Sequence, residues 1–383
     1  MSTASRFTAL ISLPALALAS CAHAESGESA AEAGIEVSEM GEFEMPWAIE
    51  FIPGTPWIAI TEKEGALKLM NSDGGQTVEV SSVPEVAFGG QGGFGDVLFL
   101  ESESEVDGPR TIYLSWAEFG EDGETRGAVV GRGMLDCEAV QEPEMACSIE
   151  GLDVIWRQAP KVTGRGHYSH RLAFSPDEQY LFVASGDRQK LEPAQDNANT
   201  LGTIVRLNLD GTPAEGNPFA DQSGVTAEIW SYGHRNILGM AWDEEGRLWD
   251  VEHGPAGGDE LNLVAEGANY GWPTRSYGNH YRGEPIPDHT EDDGFTKPLI
   301  HWTPVIAPGD MLFYSGEMFA DWRGDALIAG LSSRSLVRVE ASPEGATEAG
   351  RYAMEGRVRS LDVAPDGAIW LATDEGKLLR LSM

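Results

Sequence analysis

The sequence predicts an all-β chain, a six-bladed β-propeller of four-stranded antiparallel blades, and three observations lead there. The first is a recurring layout: an apolar residue, a turn of Asp, Glu and Gly, then a short β-prone run. It recurs in "FSPDEQYLFVASGD" (174–187), "WDEEGRLWDVEHG" (242–254) and "VAPDGAIWLATDEGKLLRL" (363–381). Acidic or Asp-Gly turns between β-prone runs signal hairpins, and hairpins repeated along a chain signal propeller blades. The second is composition: 46 glycines, 21 prolines and 11 tryptophans in 383 residues favour a turn-rich β protein over a helical one. The third is that no long segment carries the 3.6-residue apolar period of a helix. Six blades of roughly 40–60 residues fit the length. A large β-sandwich is the competing fold, and it accounts less well for the repeated hairpins.

Residues 1–24 read as an export signal, in which Arg6 precedes the apolar run "TALISLPALALASC". That run is too short to be a stable membrane span. "LASC" ending at Cys21 fits a lipoprotein signal, with Cys21 then carrying the lipid anchor. "AHA" ending at Ala24 fits release of a soluble protein. Either route places the mature protein outside the cytoplasm, in the periplasm or held at the outer membrane. Residues 25–36, with "ESGESAAEAG", read as an acidic linker, and 37–383 as a single propeller domain. "FIPGTPWIAITEKEGALKLM" (51–70) is a weakened copy of the hairpin layout. Cys137 and Cys147 are close enough in sequence to bridge a small loop in an oxidising compartment.

A net charge of −36 repels phosphate backbones, so nucleic acid is excluded as a partner. Close-set cations therefore stand out. Arg357 and Arg359 in "GRVRSLDV" (356–363) leave one face of a strand. Two guanidiniums side by side either answer an acidic surface or hold an anion between them. The same choice applies to Arg235 beside Asn236 in "SYGHRNILG" (231–239). His167, in "GRGHYSHRL" (164–172), has general-base chemistry, as do His170, His234 and His253. In "VEHGPAGGDELNLV" (251–264), Gly254 and Pro255 offer lightly shielded carbonyls and Asp259 and Glu260 offer carboxylates, the oxygen donors calcium takes. Adjacent strand residues point opposite ways. Two ions, or one ion and a structural hydrogen bond, fit better than one ion held by all four. The plain alternative is a tight turn with an acidic edge.

Together these segments resemble the glucose/sorbosone dehydrogenase family, six-bladed quinoproteins that oxidise aldose sugars with pyrroloquinoline quinone (PQQ) and calcium. The matching stretches are "HYSHRLAF" (167–174), "SYGHRNILGMAW" (231–242), "EHGPAGGDELNLV" (252–264) running on to "NYGWP" (269–273), "VIAPGDMLFY" (305–314) and "GRVRSLDVAPDG" (356–367). They follow the family's order, with "GGQGGFGD" (89–96) ahead of them, and the similarity extends from "MPWAIEF" (45–51) to the C-terminus.

The resemblance implies roles. His167 is the general base, Gln91 contacts the quinone, and Arg235 with Asn236 faces its reactive carbonyl. Arg357 and Arg359 hold the cofactor, and Gly254 and Pro255 give carbonyls to the calcium that bridges protein and PQQ. Glu260 and Tyr270, the latter through its backbone oxygen, hold a second, structural calcium, with Asp259 a further candidate. The implied reaction turns an aldose into a lactone and passes electrons to a downstream acceptor. Three positions depart from the family. Ser332 stands where many members carry a lysine, and Arg334 is expected to replace it at the cofactor. Leu238 stands where glucose-oxidising members carry a glutamine, which implies the broader aldose branch. His170 replaces a small residue and is expected to narrow the substrate cleft. A calcium-dependent propeller lactonase and a non-catalytic extracellular binding module are the alternative functions, and monomer and homodimer are both open.

Overall fold

The computed structural model describes residues 27–141 and 144–383. The export signal and Cys21 lie outside the described residues. Six four-stranded antiparallel units follow one another along the chain. Blade 1 is Pro46–Phe51, Trp57–Glu62, Ala66–Asn71 and Thr77–Ser81. Blade 2 is Phe94–Phe99, Arg110–Phe119, Arg126–Gln141 and Glu144–Arg157. Blade 3 is Ser169–Phe174, Tyr180–Ser185, Thr203–Asn208 and Ile229–Tyr232. Blade 4 is Ile237–Trp242, Leu248–Glu252, Asp259–Leu263 and Ile300–Trp302. Blade 5 is Pro308–Phe313, Ala326–Gly330, Ser335–Ser342 and Gly345–Ala353. Blade 6 takes Val358–Val363, Ile369–Thr373 and Lys377–Ser382 from the C-terminus and its outer strand, Glu36–Glu42, from the N-terminus. The ring is closed by hydrogen bonds between the two ends of the chain.

Each blade presents an apolar face to each neighbour, so the core is a set of clusters between blades. In Tyr180–Ser185, Leu181 and Val183 pack toward blade 2 while Phe182 and Ala184 pack toward blade 4. The two-residue side-chain period of a strand buried on both faces produces this split. It explains why such strands read as unbroken apolar runs. Blades 1 and 2 go further and pair their outer strands in parallel at Cys147↔Val80 and Ser148↔Ser81. Cys137 and Cys147 form a disulfide across the long outer hairpin of blade 2, the bridge their spacing suggested.

The acidic segment expected as a linker is packed from Glu28 onward. Glu28 and Ser29 pair in parallel with Tyr352 and Ala353, and Ala30 and Ile35 are buried between blades 5 and 6. Two apolar residues set among Glu, Ser and Gly suffice to dock it.

Where the inner strands converge, the interior turns polar. Arg171 of blade 3 donates from Nη1 to Asp96 Oδ1 of blade 2 (2.8 Å) and from Nε to the Leu238 carbonyl of blade 4 (2.7 Å). Its Nη2 donates to the Gly309 carbonyl of blade 5 (2.8 Å). Asp310 Oδ2 accepts from Ser360 Oγ of blade 6 (2.6 Å), and that hydroxyl accepts from Ile49 N of blade 1 (3.3 Å). One hydrogen-bonded hub thus joins all six blades. Burial drives Asp310 up to about 6 even with Arg171 beside it.

Candidate active site

His167 sits just ahead of the inner strand of blade 3. His167, Ser169 and His170 have φ of 50°, 55° and 51°, a left-handed conformation that costs a non-glycine residue about 1 kcal/mol or more. The crowded turn is held by its contacts: His167 N donates to Gln91 Oε1 (2.6 Å), and Arg188 N donates to the His167 carbonyl (3.3 Å). The imidazole is buried, with Nδ1 2.6 Å from Asp187 Oδ1. Burial would raise the Asp187 carboxyl, but hydrogen bonds from His167, Gln189 N (2.8 Å) and Trp272 Nε1 (2.7 Å) outweigh it and hold the group ionised. A carboxylate only accepts, so Nδ1 carries the proton and Nε2 keeps its lone pair. Burial holds His167 below the ordinary histidine value; Asp187 opposes this, and Arg235 and Arg188 reinforce it. The ring is therefore a neutral base near pH 7.

The other three histidines are committed elsewhere. His234 is fully buried between Ser231 Oγ (2.9 Å) and Glu252 Oε1 (3.2 Å). His253 Nε2 is bound to the Pro308 carbonyl (2.6 Å). His170 stacks on Trp47 with centroids 4.8 Å apart and meets Ser115 Oγ at 3.0 Å, and burial drives it down to about 3. A Cβ on Gly95 would lie 1.9 Å from His170 Nδ1, so this histidine and that glycine require each other. His170 does line the central cavity, but as part of a packed floor.

That cavity, about 160 Å³, is bordered by Lys63, Gln91, Asn236, His253, Arg357 and Arg359 among others. Arg357 Nε and Arg359 Nε both donate to Asp374, at 2.9 and 2.8 Å, so two guanidiniums share one carboxylate. Arg235 is not in that wall; it lines a smaller cavity by the Gly254 turn. Its Nη1 donates to the His253 carbonyl (2.9 Å), its Nη2 to Tyr281 Oη (3.3 Å), and its buried Nε has no partner. Glu252 Oε2 accepts from the backbone N–H groups of Arg235 (2.6 Å) and Asn236 (3.3 Å) and so fixes the pair. A local excess of cations and an orphaned guanidinium N–H suit a polycarboxylate such as PQQ. Arg334 does not join them: its side chain is 60% exposed, 3.8 Å from Glu375, and absent from the cavity wall. Its positive φ of 48° in the turn before Ser335–Ser342 sets it there. Ser332 donates to the Val305 carbonyl (3.0 Å). A larger cavity, about 890 Å³, lies at the opposite ends of the blade 1 and blade 6 inner strands, beside Glu50 and Asp362, and has no histidine in its wall.

The Gly254–Pro255 turn follows the second strand of blade 4. A Cβ on Gly254 would lie 2.2 Å from the carbonyl oxygens of Gly257 and Gly258, so only glycine allows this crowding of carbonyls. Asp259 shapes the turn: Oδ1 accepts from Gly254 N (2.8 Å) and Oδ2 from Ala307 N (2.6 Å). Glu260 points the other way. With Tyr270, Glu252, Gly254 and also Arg235 and Arg275 it borders a cavity of about 10 Å³. Glu252 faces Glu260 across the strand pair and Asp250 faces Asn262, which sets three buried carboxylates on one face. Burial first, then Glu252 and Asp250, push Glu260 well up, and burial lifts Asp250 to about 7. Asp250 Oδ2 and Asn262 Oδ1 are buried without hydrogen-bond partners, the former 3.8 Å from His234 Nδ1. His234 Nδ1, 3.2 Å from Glu252, is the nearest counter-charge; the buried oxygen donors beyond it suit a hard divalent cation. Tyr270 spends its hydroxyl on Leu263 O (2.7 Å) and Ala265 N (2.9 Å), leaving its backbone carbonyl to offer.

Sequence reasoning missed Asp187, Glu252, Asp374 and Lys63. Asp187 and Asp374 each follow a strand in the repeated layout, and nothing local distinguishes them from the other turn carboxylates.

Residues 43–380 match the family model described as Glucose / Sorbosone dehydrogenase. The chain is 35% identical over 344 residues to the aldose sugar dehydrogenase YliI of Escherichia coli, covering 88% of this chain and 90% of that protein. The crystal structure of the soluble aldose sugar dehydrogenase from Escherichia coli in the apo-form superposes with a TM-score of 0.82 at 34% identity, over 91% of this chain and 99% of that one. The PQQ-bound aldose sugar dehydrogenase of Streptomyces coelicolor shares the fold with a TM-score of 0.72 at 24% identity, over 91% and 98% of the two chains. The length of the match and the order of its motifs leave one assignment: the chain belongs to the glucose/sorbosone dehydrogenase family.

Proposed function

We propose that this protein is a PQQ- and calcium-dependent aldose dehydrogenase that oxidises the anomeric carbon to a lactone. The observation that carries the reading is a neutral, carboxylate-oriented histidine whose chain neighbours Tyr168 and Ser169 line a cavity that also bears Lys63, Arg357 and Arg359, within a chain of net charge −36. When bound, PQQ would supply the hydride acceptor, and calcium at Gly254 and Pro255 a Lewis acid. Arg357 and Arg359 would hold the cofactor, Gln91 would contact the quinone, and Asn236 with Arg235 would face its reactive carbonyl. His167 Nε2 takes the proton of the anomeric hydroxyl, and Asp187 stabilises the imidazolium that forms. Arg235 sets its positive charge toward developing negative charge. The buried carboxylate face of blade 4 takes the structural calcium at Glu260 and the Tyr270 carbonyl. Leu238 gives the cavity an apolar wall, consistent with a broad aldose range. Export to the periplasm, by either cleavage route, is part of the reading, and mass spectrometry of the mature N-terminus tests it.

The deciding experiment supplies apo-protein with PQQ, calcium, an aldose and a redox dye. Dye reduction is expected, falling about 10²–10⁴-fold in His167→Ala while PQQ still binds. A fully active His167→Ala protein refutes the base, and lactone hydrolysis without quinone would establish the hydrolase alternative.

A further inference from the structure

Lys63 lies in the turn between the second and third strands of blade 1 and lines the cationic cavity. Its placement is built on both sides. The Lys63 N–H donates to the Met45 carbonyl (3.0 Å), and its own carbonyl accepts from Phe94 N of blade 2 (2.9 Å). Blade 2 can come this close because residue 93 is glycine: a Cβ there would lie 2.1 Å from the Lys63 oxygen. The side chain then crosses to the loop that carries Gln91, where Nζ donates to the Gly90 carbonyl (2.7 Å).

What distinguishes this ammonium is an unpaired charge at a cavity wall. Lys68, Lys161 and Lys377 each reach a carboxylate: Glu62, Glu118 and Glu39; Lys190 and Lys297 reach none among the described residues, but neither borders the cavity. Lys63 has no carboxylate at ion-pair distance among the described residues, and a neutral carbonyl is its hydrogen-bond partner. Burial holds its pKa below the ordinary lysine value, Arg359 adds to that, and the more distant Asp374 opposes it. Asp374 is already shared by Arg357 and Arg359. Three cations from blades 1 and 6 therefore border one cavity against one carboxylate. Like charges gathered in a partly desolvated site are unfavourable unless a ligand neutralises them. An ammonium with one of its three donors used has two left for that ligand.

We propose that Lys63 is a cofactor-anchoring residue, its ammonium pairing with a PQQ carboxylate and providing the positive charge that Ser332 cannot. This rests on the PQQ reading above and extends it to a blade from which no cofactor ligand was expected. Arg334, two residues from Ser332, is turned out to Glu375 and leaves that role unfilled.

The test is a binding titration. PQQ is added to calcium-loaded apo-protein, and tryptophan fluorescence quenching gives Kd at several salt concentrations. Lys63→Gln is expected to weaken PQQ binding about 10–100-fold, the range for loss of a charge-assisted contact, and to flatten the salt dependence. Lys63→Arg is expected to stay within a few-fold of wild type. Adding Ser332→Lys to Lys63→Gln is expected to recover part of the affinity, which a merely structural role for Lys63 would not permit. In the wild type, bound PQQ is expected to protect Lys63 from amine acylation, read by peptide mass spectrometry, so the proposal is tested even if Lys63→Gln does not fold. Wild-type affinity in a folded Lys63→Gln protein, or equal acylation of Lys63 with and without PQQ, overturns the anchoring role alone. Failure of the wild type to bind PQQ overturns the functional reading beneath it.

Discussion

The base role proposed for His167 depends on a residue twenty positions away. Asp187 fixes the tautomer, and the N–H groups around it keep it charged. Asp187→Asn is expected to lower kcat by about 10²–10⁴-fold with PQQ affinity little changed. The sign of the accompanying pH effect follows from the contact: Asp187 raises the His167 pKa, so its neutralisation moves the acid limb of the pH–rate profile to lower pH. A second pH effect belongs to His170. Its folded pKa, about 3, lies below the unfolded value of 6.5. The stability it contributes is thus present above pH 6.5 and lost as pH falls toward 3. His170→Gln is expected to remove up to about 1.4 kcal/mol per pH unit from the acid-side slope, measured by urea unfolding at pH 7, 5 and 4. No local feature of the sequence separates His167 from His170. The difference is which imidazole meets a carboxylate and which meets an indole.

Among the elements, the outer strand of blade 6 matters most to the ring. Glu36–Glu42 pairs with Lys377–Ser382, and the segment before it buries Ile35 and Ala30. Removing residues 27–42 leaves Lys377–Ser382 as an open edge and uncovers that cluster. The truncation is expected to cost at least about 3 kcal/mol and to promote self-association, checked by denaturant unfolding and light scattering. Hairpin spacing makes the repeated strands legible in the sequence. This closure is not legible: Glu36–Glu42 has an exposed, acidic pattern, and its partner lies at the other end of the chain.

At the scale of the molecule, Arg171 does at one point the work that the proposed structural calcium would do at another. Arg171 neutralises Asp96 and Asp310 where the six blades meet. Arg171→Met is expected to destabilise by about 3–5 kcal/mol, since two buried carboxylates lose their counter-charge; equilibrium unfolding measures it. On the carboxylate face of blade 4, His234 faces Glu252 and Asp250, while Glu260 is in no ion pair among the described residues. Calcium at a hundred times its Kd is expected to add about 2.7 kcal/mol, a chelator to lower the unfolding midpoint, and Glu260→Gln to shrink that difference. Thermal unfolding with and without chelator reads it.

By itself the sequence determined the strand-rich ring, its hairpins, the disulfide and the segments that carry chemistry, because turn residues, two-residue periodicity and close-set cations are local properties. Tertiary structure decided which of those residues meet. It paired His167 with Asp187, set Arg357 and Arg359 on Asp374, turned Arg334 outward and brought Lys63 to the same cavity. In a propeller every blade delivers its loops to a common centre, so contacts there join positions hundreds of residues apart, and only the closed ring specifies them.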